Sequence, residues 1–181
     1  MLEFLTPRLR LRQITTADWP LFVRLHQEQV IIRYVFDEPS IEEIAAKFRV
    51  LLPAWQARPR QWLCMVVCCI ESGTPLGTMA FIITDAKHSN AEFGYMFLPE
   101  HFGKGYATEA LLAAKQFALS LGIAQLQATV TEGNAGSCRV LEKCGFVLSK
   151  RIEQAYSINN MLYDDLIYTY HSNEPTTPAA E

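Results

Sequence analysis

Residues 103–110 read Gly103-Lys104-Gly105-Tyr106-Ala107-Thr108-Glu109-Ala110, at the point where an apolar strand pattern gives way to a helical one. Glycine has no Cβ, so the chain there can turn tightly and approach a ligand closely. The first N–H groups of a helix have no partner inside the helix, and its dipole favours an anion at that end. Lys104 adds a positive charge. The segment therefore reads as a pyrophosphate cradle; taken alone, two glycines before a helix also make an ordinary tight turn. It is not a Walker A loop, since no Gly-x-x-x-x-Gly-Lys-Ser/Thr is present. Nor is it the dinucleotide fingerprint, because Thr108 occupies the third glycine place.

Working outward, the residues after the loop form the strongest helix of the chain. Ala107, Ala110, Leu111, Ala114, Phe117, Ala118 and Leu121 fall at helical spacing, and Gly122 is placed to stop it. Three strands precede the loop: Trp62–Ile70, Leu76–Thr84 and Ala91–Leu98, the last two separated by a polar loop at Asp85–Asn90. Further back, Arg8, Arg10 and Arg12 alternate with Leu9 and Leu11, which gives an opening strand with one apolar face and a solvated arginine face. Thr15–Trp19 with Pro20 start a first helix carrying Leu21, Phe22 and Leu25. Ser40 and Glu43 form a capping box for a second helix over 41–57, which Pro53 kinks or divides. After the main helix come a strand at Leu126–Thr131, a short helix opened by Asn134 and stopped at Gly145, and strands near Phe146–Tyr156 and Leu162–Tyr170. The order β-α-α-β-β-β-α-β-α-β-β predicts an α+β fold, a mixed sheet covered by helices. Residues 1–170 read as one domain, followed by a polar tail, 171–181, expected to be mobile.

The chain has 181 residues, half of them apolar, with 16 Lys and Arg against 19 Asp and Glu. Such a balance lacks the basic face of a nucleic-acid binder. The longest apolar run, Trp62–Ile70, is far short of the roughly 20 residues a bilayer helix needs. Five cysteines, an odd number in a chain of this size, argue against a disulfide framework and for a cytoplasmic, reducing setting. Cys64 and Cys68 lie on one strand with no second pair, so buried thiols are a better reading than zinc.

A second segment, Asn134-Ala135-Gly136-Ser137-Cys138-Arg139-Val140-Leu141-Glu142-Lys143-Cys144-Gly145-Phe146, also puts an amide and a hydroxyl at a helix start after a strand. In this order and separation the two segments resemble the GNAT acyltransferases. The loop is similar to that family's Gln/Arg-x-x-Gly-x-Gly/Ala motif, with Gly105 and Ala107 in the last two places and Phe102 where Gln or Arg is usual. The match is closer to the RimJ/RimL-type branch, the ribosomal-protein N-terminal acetyltransferases. Thr6-Pro7-Arg8-Leu9-Arg10-Leu11-Arg12, Glu92-Phe93-Gly94-Tyr95 and Asp164-Asp165-Leu166-Ile167-Tyr168 resemble its opening, central and last strands, so the likeness spans about residues 3–170.

What the resemblance implies is a mostly antiparallel sheet, splayed open and flanked by helices. Acetyl-CoA is the implied co-substrate, held by Met96, Phe97, Leu98, Gly103, Lys104, Gly105, Tyr106, Ala107, Thr108, Asn134 and Ser137, with no metal. Pantetheine would pair with the main chain of Met96–Leu98, and an amine would attack the thioester directly. The tyrosine many members use as acid is replaced by Leu141, which leaves Ser137 to donate to the CoA sulfur. Glu92, in an apolar strand beside the small Gly94, is the expected base. Arg33, Tyr34 and Trp55 are candidates for the acceptor pocket, Tyr95 for a wall of it, and Tyr156–Met161 for its lip. His101 precedes the loop and could touch a phosphate; His26 and His88 carry no pattern. The implied function is acetyl transfer to a primary amine, a protein N-terminal α-amine or a small molecule, by a monomer or homodimer, with no nucleic acid or membrane partner. The competing reading is a module that binds acyl-CoA without turning it over.

Overall fold

The computed structural model describes residues 2–85 and 89–172. Eight strands form one sheet: β1 (Glu3–Leu5), β2 (Leu9–Gln13), β3 (Trp62–Cys69), β4 (Pro75–Ile83), β5 (Asn90–Phe97), β6 (Gln125–Thr131), β7 (Val147–Ile158) and β8 (Met161–His171). Their spatial order is β1-β2-β3-β4-β5-β6-β8-β7. Every pairing is antiparallel except β5 with β6, which the helix α4 (Tyr106–Ser120) joins by a crossover. The predicted α+β class, with a mixed and mostly antiparallel sheet, is thus observed.

Alternation along the strands divides the core into two. Leu9, Leu11, Leu63, Met65, Met79, Phe81 and Phe93 face α4 and α5 (Ala135–Lys143). Ala110, Leu111, Ala114 and Ala118 of α4 are fully buried against them; small side chains let this helix lie close to the sheet. Cys64, Val66, Cys68 and Met96 face the other way, toward α1 (Trp19–Gln27) and α3 (Ile41–Leu51), with the single turn α2 (Gln29–Ile32) between them. Gly122, at φ +82°, follows the C-cap Leu121 and stops α4 as expected.

Three local expectations are revised. The edge strand β1 adds to the expected opening strand. The helix read over 41–57 ends at Leu51, two residues before Pro53, whose ring and missing N–H bar continuation. The released chain carries Trp55 to the α4 face, where its ring lies 5.6 Å from Phe81 and 5.8 Å from Phe117; Trp55 is core, not acceptor pocket. The last strand includes His171, paired with Gln125, so the tail does not begin there. Residues 173–181 and His88 lie outside the described residues. Among the described residues no helix is long and apolar enough to cross a membrane, and no cluster of His, Cys, Asp and Glu could hold a metal.

Candidate active site

β5 and β6 are paired only from Asn90 to Phe93, opposite Gln125 to Ala128. Beyond Phe93 they separate, β6 keeping to β8 and β5 to β4 as far as Thr131 and Phe97. The sheet is therefore open from Gly94 onward. The Leu98 N–H donates to the Leu76 carbonyl on the β4 side. Peptide groups alternate direction along a strand, so those of Tyr95 and Phe97 face the opening. Leu98 itself is buried and tied away from it. Of the expected Met96–Leu98 segment, only the Phe97 peptide groups face the opening, together with those of Tyr95.

The loop before α4 ends in Gly105, the N-cap, at φ +80°. Among the described residues no side chain caps this helix, and the main-chain N–H groups of Gly103, Lys104, Gly105, Tyr106, Ala107 and Thr108 find no acceptor. A Cβ at Gly103 would meet nothing within 4 Å. This is an open anion cradle of the kind a pyrophosphate fits. The loop is braced from the far end of the chain. Glu109, in the first turn of α4, accepts from the Thr6 hydroxyl at 2.6 Å, the Arg8 N–H at 3.0 Å and the Arg8 Nε at 2.6 Å. Burial alone would raise the Glu109 carboxyl; these bonds outweigh it and hold it below its usual range. The Arg8 guanidinium also donates to the Lys104 carbonyl at 3.1 Å and lies 4.8 Å from the Tyr106 ring centroid. It ties down the loop in which Phe102 stands where Gln or Arg is usual. The alternating arginines had suggested only a solvated face; the Arg8–Glu109 pair spans 101 positions, and no local pattern announces it.

Two cavities approach the opening from opposite sides. One, about 570 Å³, runs past Phe97, Gly103, Gly105 to Thr108, and Asn134 to Ser137. The other, about 670 Å³, lies between the sheet and the first helices, lined among others by Phe22, Phe36, Trp62, Thr129, Tyr156 and Asp165. Both include Tyr34, Val35, Tyr95, Met96, Asn134 and Ser137, so they meet there. We call them the cofactor arm and the acceptor arm.

At the junction Asn134 caps α5, its Oδ1 accepting the Ser137 N–H at 3.2 Å. The Ser137 hydroxyl is 2.8 Å from that of Tyr95. Burial pushes the Tyr95 phenol upward, more than its bond to Ser137 lowers it, so it keeps its proton. Leu141, at the usual tyrosine position, is fully buried in the core and offers no donor.

The remaining candidates separate. Tyr34 stands at the junction, its carbonyl accepting from the Thr131 hydroxyl at 2.6 Å. Arg33 is exposed, stacked over the Tyr34 ring at 4.8 Å, and lines the cofactor arm, not the acceptor arm assumed for it. Lys104 lies outside the lining of both arms. His101 lines the cofactor arm beside Tyr106. His26 is buried in the acceptor arm, its Nδ1 2.8 Å from the Phe22 carbonyl, and burial lowers its pKa. Cys64 is buried, its thiol pushed up to about 12, and is inert. Glu92 is on the expected face, but it sits where β5 and β6 are still zipped, two residues short of the opening. It bonds Thr129 at 3.4 Å and lines neither arm. The carboxylate that does line the acceptor arm is Asp165, which the sequence showed only as part of a strand motif.

Comparison with known proteins gives a consistent picture. The family model "Acetyltransferase (GNAT) domain" matches residues 8–147. The Bacillus subtilis protein named uncharacterized N-acetyltransferase YoaA is 30% identical over 168 residues, 91% of this chain and 93% of that protein. A spermidine N(1)-acetyltransferase of Vibrio cholerae is 25% identical over 160 residues, 87% and 89% of the two chains. Among solved structures, RimL, a ribosomal L7/L12 α-N-protein acetyltransferase in complex with coenzyme A, superimposes with a TM-score of 0.80 at 18% identity, covering 93% of this chain and 96% of that one.

Proposed function

The chain belongs to the GNAT family of acetyltransferases, enzymes that use acetyl-CoA, and on that premise we propose direct transfer of the acetyl group to a primary amine entering by the acceptor arm. The supporting observation is the meeting of the two arms at Ser137, Tyr95 and Met96. Its free amides make the α4 N-terminus the seat of the pyrophosphate. The peptide groups of Tyr95 and Phe97 take the pantetheine as an added strand, as a sheet edge takes a peptide. On this reading a main-chain N–H of that edge stabilises the oxyanion formed on attack. Ser137 gives its proton to the departing sulfur, and the Tyr95 hydroxyl, 2.8 Å away, is within reach of the serine oxygen.

For the acceptor we favour a protein N-terminal α-amine, with a small monoamine second. The acceptor arm carries aromatic walls, one lysine and a single carboxylate. A polyamine with several charges finds too few partners there, although one relative acts on spermidine by name. The test is thiol release from acetyl-CoA with peptides of varied first residue, spermidine and simple aryl and alkyl amines. Turnover of peptides or monoamines above spermidine supports the reading. Turnover of spermidine alone overturns the acceptor, and acetyl-CoA binding with no turnover of any amine overturns the transfer itself.

A further inference from the structure

Asp164 and Asp165 are neighbours on β8 with opposite fates. Asp164 is fully engaged, by the Arg151 guanidinium and the Gln154 N–H at 2.9 Å. Asp165 Oδ1 is shut off from solvent and has no hydrogen-bond partner, alone in this among the buried side-chain atoms described. Its residue is only half-buried because the rest of the side chain borders the acceptor arm.

An unpaired carboxylate in such a place is costly unless something neutralises it. Among the described residues its surroundings supply no hydrogen bond or opposite charge. Across β6 it faces Thr131, whose hydroxyl is committed to the Tyr34 carbonyl and the Tyr156 hydroxyl. On β7 it faces Ile152, and Arg151 next to that is held by Asp164 and Glu132. The other charged or titratable groups of the arm are Lys47, over the Phe36 ring at 4.5 Å, the buried His26, Tyr34, Tyr95, Tyr156 and Cys64. None of them hydrogen-bonds Asp165 Oδ1. The position, in contrast, suits the reaction. Thr131, opposite Asp165, accepts from the Asn134 N–H at its carbonyl, Asn134 holds Ser137, and Asp165 and Ser137 line the same cavity.

We propose that the Asp165 carboxylate is the counter-ion of the acceptor's ammonium group and the group that takes its proton before attack. This rests on the acetyl-transfer reading and narrows the substrate class to a monocationic primary amine with an apolar or aromatic body, an N-terminal residue included. The ammonium gives one proton to Asp165. The freed lone pair forms the C–N bond to the thioester carbon, and collapse of the tetrahedral species breaks the C–S bond. The nitrogen's second proton ends on the sulfur by way of Ser137, and Asp165 returns its own to solvent. Burial raises the Asp165 carboxyl above its ordinary value, toward the range a base needs.

The experiment compares the wild type with Asp165→Asn and Asp165→Glu. Its probes are 2-phenylethylamine and an Ala-initiated hexapeptide, with acetyl-CoA, from neutral to alkaline pH. Asp165→Asn is expected to raise the amine KM about tenfold or more. It also removes the acid limb of the kcat/KM profile, leaves acetyl-CoA affinity unchanged, and Asp165→Glu restores part of the loss. An amine KM and pH profile within about twofold of wild type overturn the proposal. If the wild type turns over neither probe, the transfer reading fails and the carboxylate is judged by calorimetric binding of 2-phenylethylamine to the CoA complex. Binding lost in Asp165→Asn supports it; equal binding, or none to the wild type, overturns it. Folding of the Asn variant is checked by its melt: ionised Asp165 costs stability above its folded pKa, so the midpoint rises at neutral pH and the gain fades in acid.

Discussion

The Ser137 hydroxyl sits at the one place the two arms share, and its neighbours leave it little else to do. Asn134 takes its N–H, and the Tyr95 hydroxyl lies 2.8 Å from its own. On the proposed mechanism, Ser137→Ala removes a contact made chiefly to the departing sulfur. In steady-state and binding measurements kcat falls by about tenfold or more while acetyl-CoA affinity changes less than about threefold. A loss confined to affinity would make the serine a binding group. Leu141 explains why so much rests on one hydroxyl: the helix position that could carry a phenol is committed to the core.

At the level of elements, the opening beside β5 depends on how β4 holds that strand from behind. Gly77 is buried opposite Phe97, and a Cβ there would come within 2.7 Å of the Phe97 Cα and closer still to the Met96 carbonyl oxygen. Backbone cannot yield as a side-chain end does. Gly77→Ala should cost about 2 kcal/mol, seen as a melting midpoint lowered by roughly 5 °C, and should raise the acetyl-CoA KM by displacing the edge that meets it. The turn ahead of α1 is governed by a charge. Arg12 donates two hydrogen bonds of 2.7 Å to Asp18, which also accepts from Thr15. Burial raises the Asp18 carboxyl, but those bonds outweigh it and the net shift is downward. A lowered folded pKa gives stability that is complete above the ordinary value of 3.8 and is lost as pH falls through the folded one. Asp18→Asn strands the Arg12 charge. It should cost about 3 kcal/mol at neutral pH and flatten the acid limb of a stability–pH curve, measured by denaturant titration.

For the whole molecule, a pyrophosphate cradle and an open edge in one cleft make ligand binding and global stability the same measurement. Acetyl-CoA at about a hundredfold over its Kd should raise the melting midpoint by roughly 5–10 °C, and ATP or NAD should not. Equal shifts from all three would reduce the cleft to a general anion site. What the sequence determined by itself follows from short-range rules. Strand alternation and helical spacing set the element order, paired glycines ahead of a helix set the anion cradle, and Asn134 with Ser137 set the second helix start. Each of those signals lies within one or two turns of chain. Only the tertiary structure decided which carboxylate lines the cavity between the sheet and the first helices. Alternation put Glu92 on the right face, yet whether a strand is zipped or open beside a residue depends on its neighbour's path, and β6 leaves β5 only after Phe93. Asp165 and the Arg8–Glu109 brace were hidden for the same reason. Their meaning comes from groups brought together, or withheld, by chain segments far apart in sequence, and side-chain pairing at that range leaves no periodicity to read.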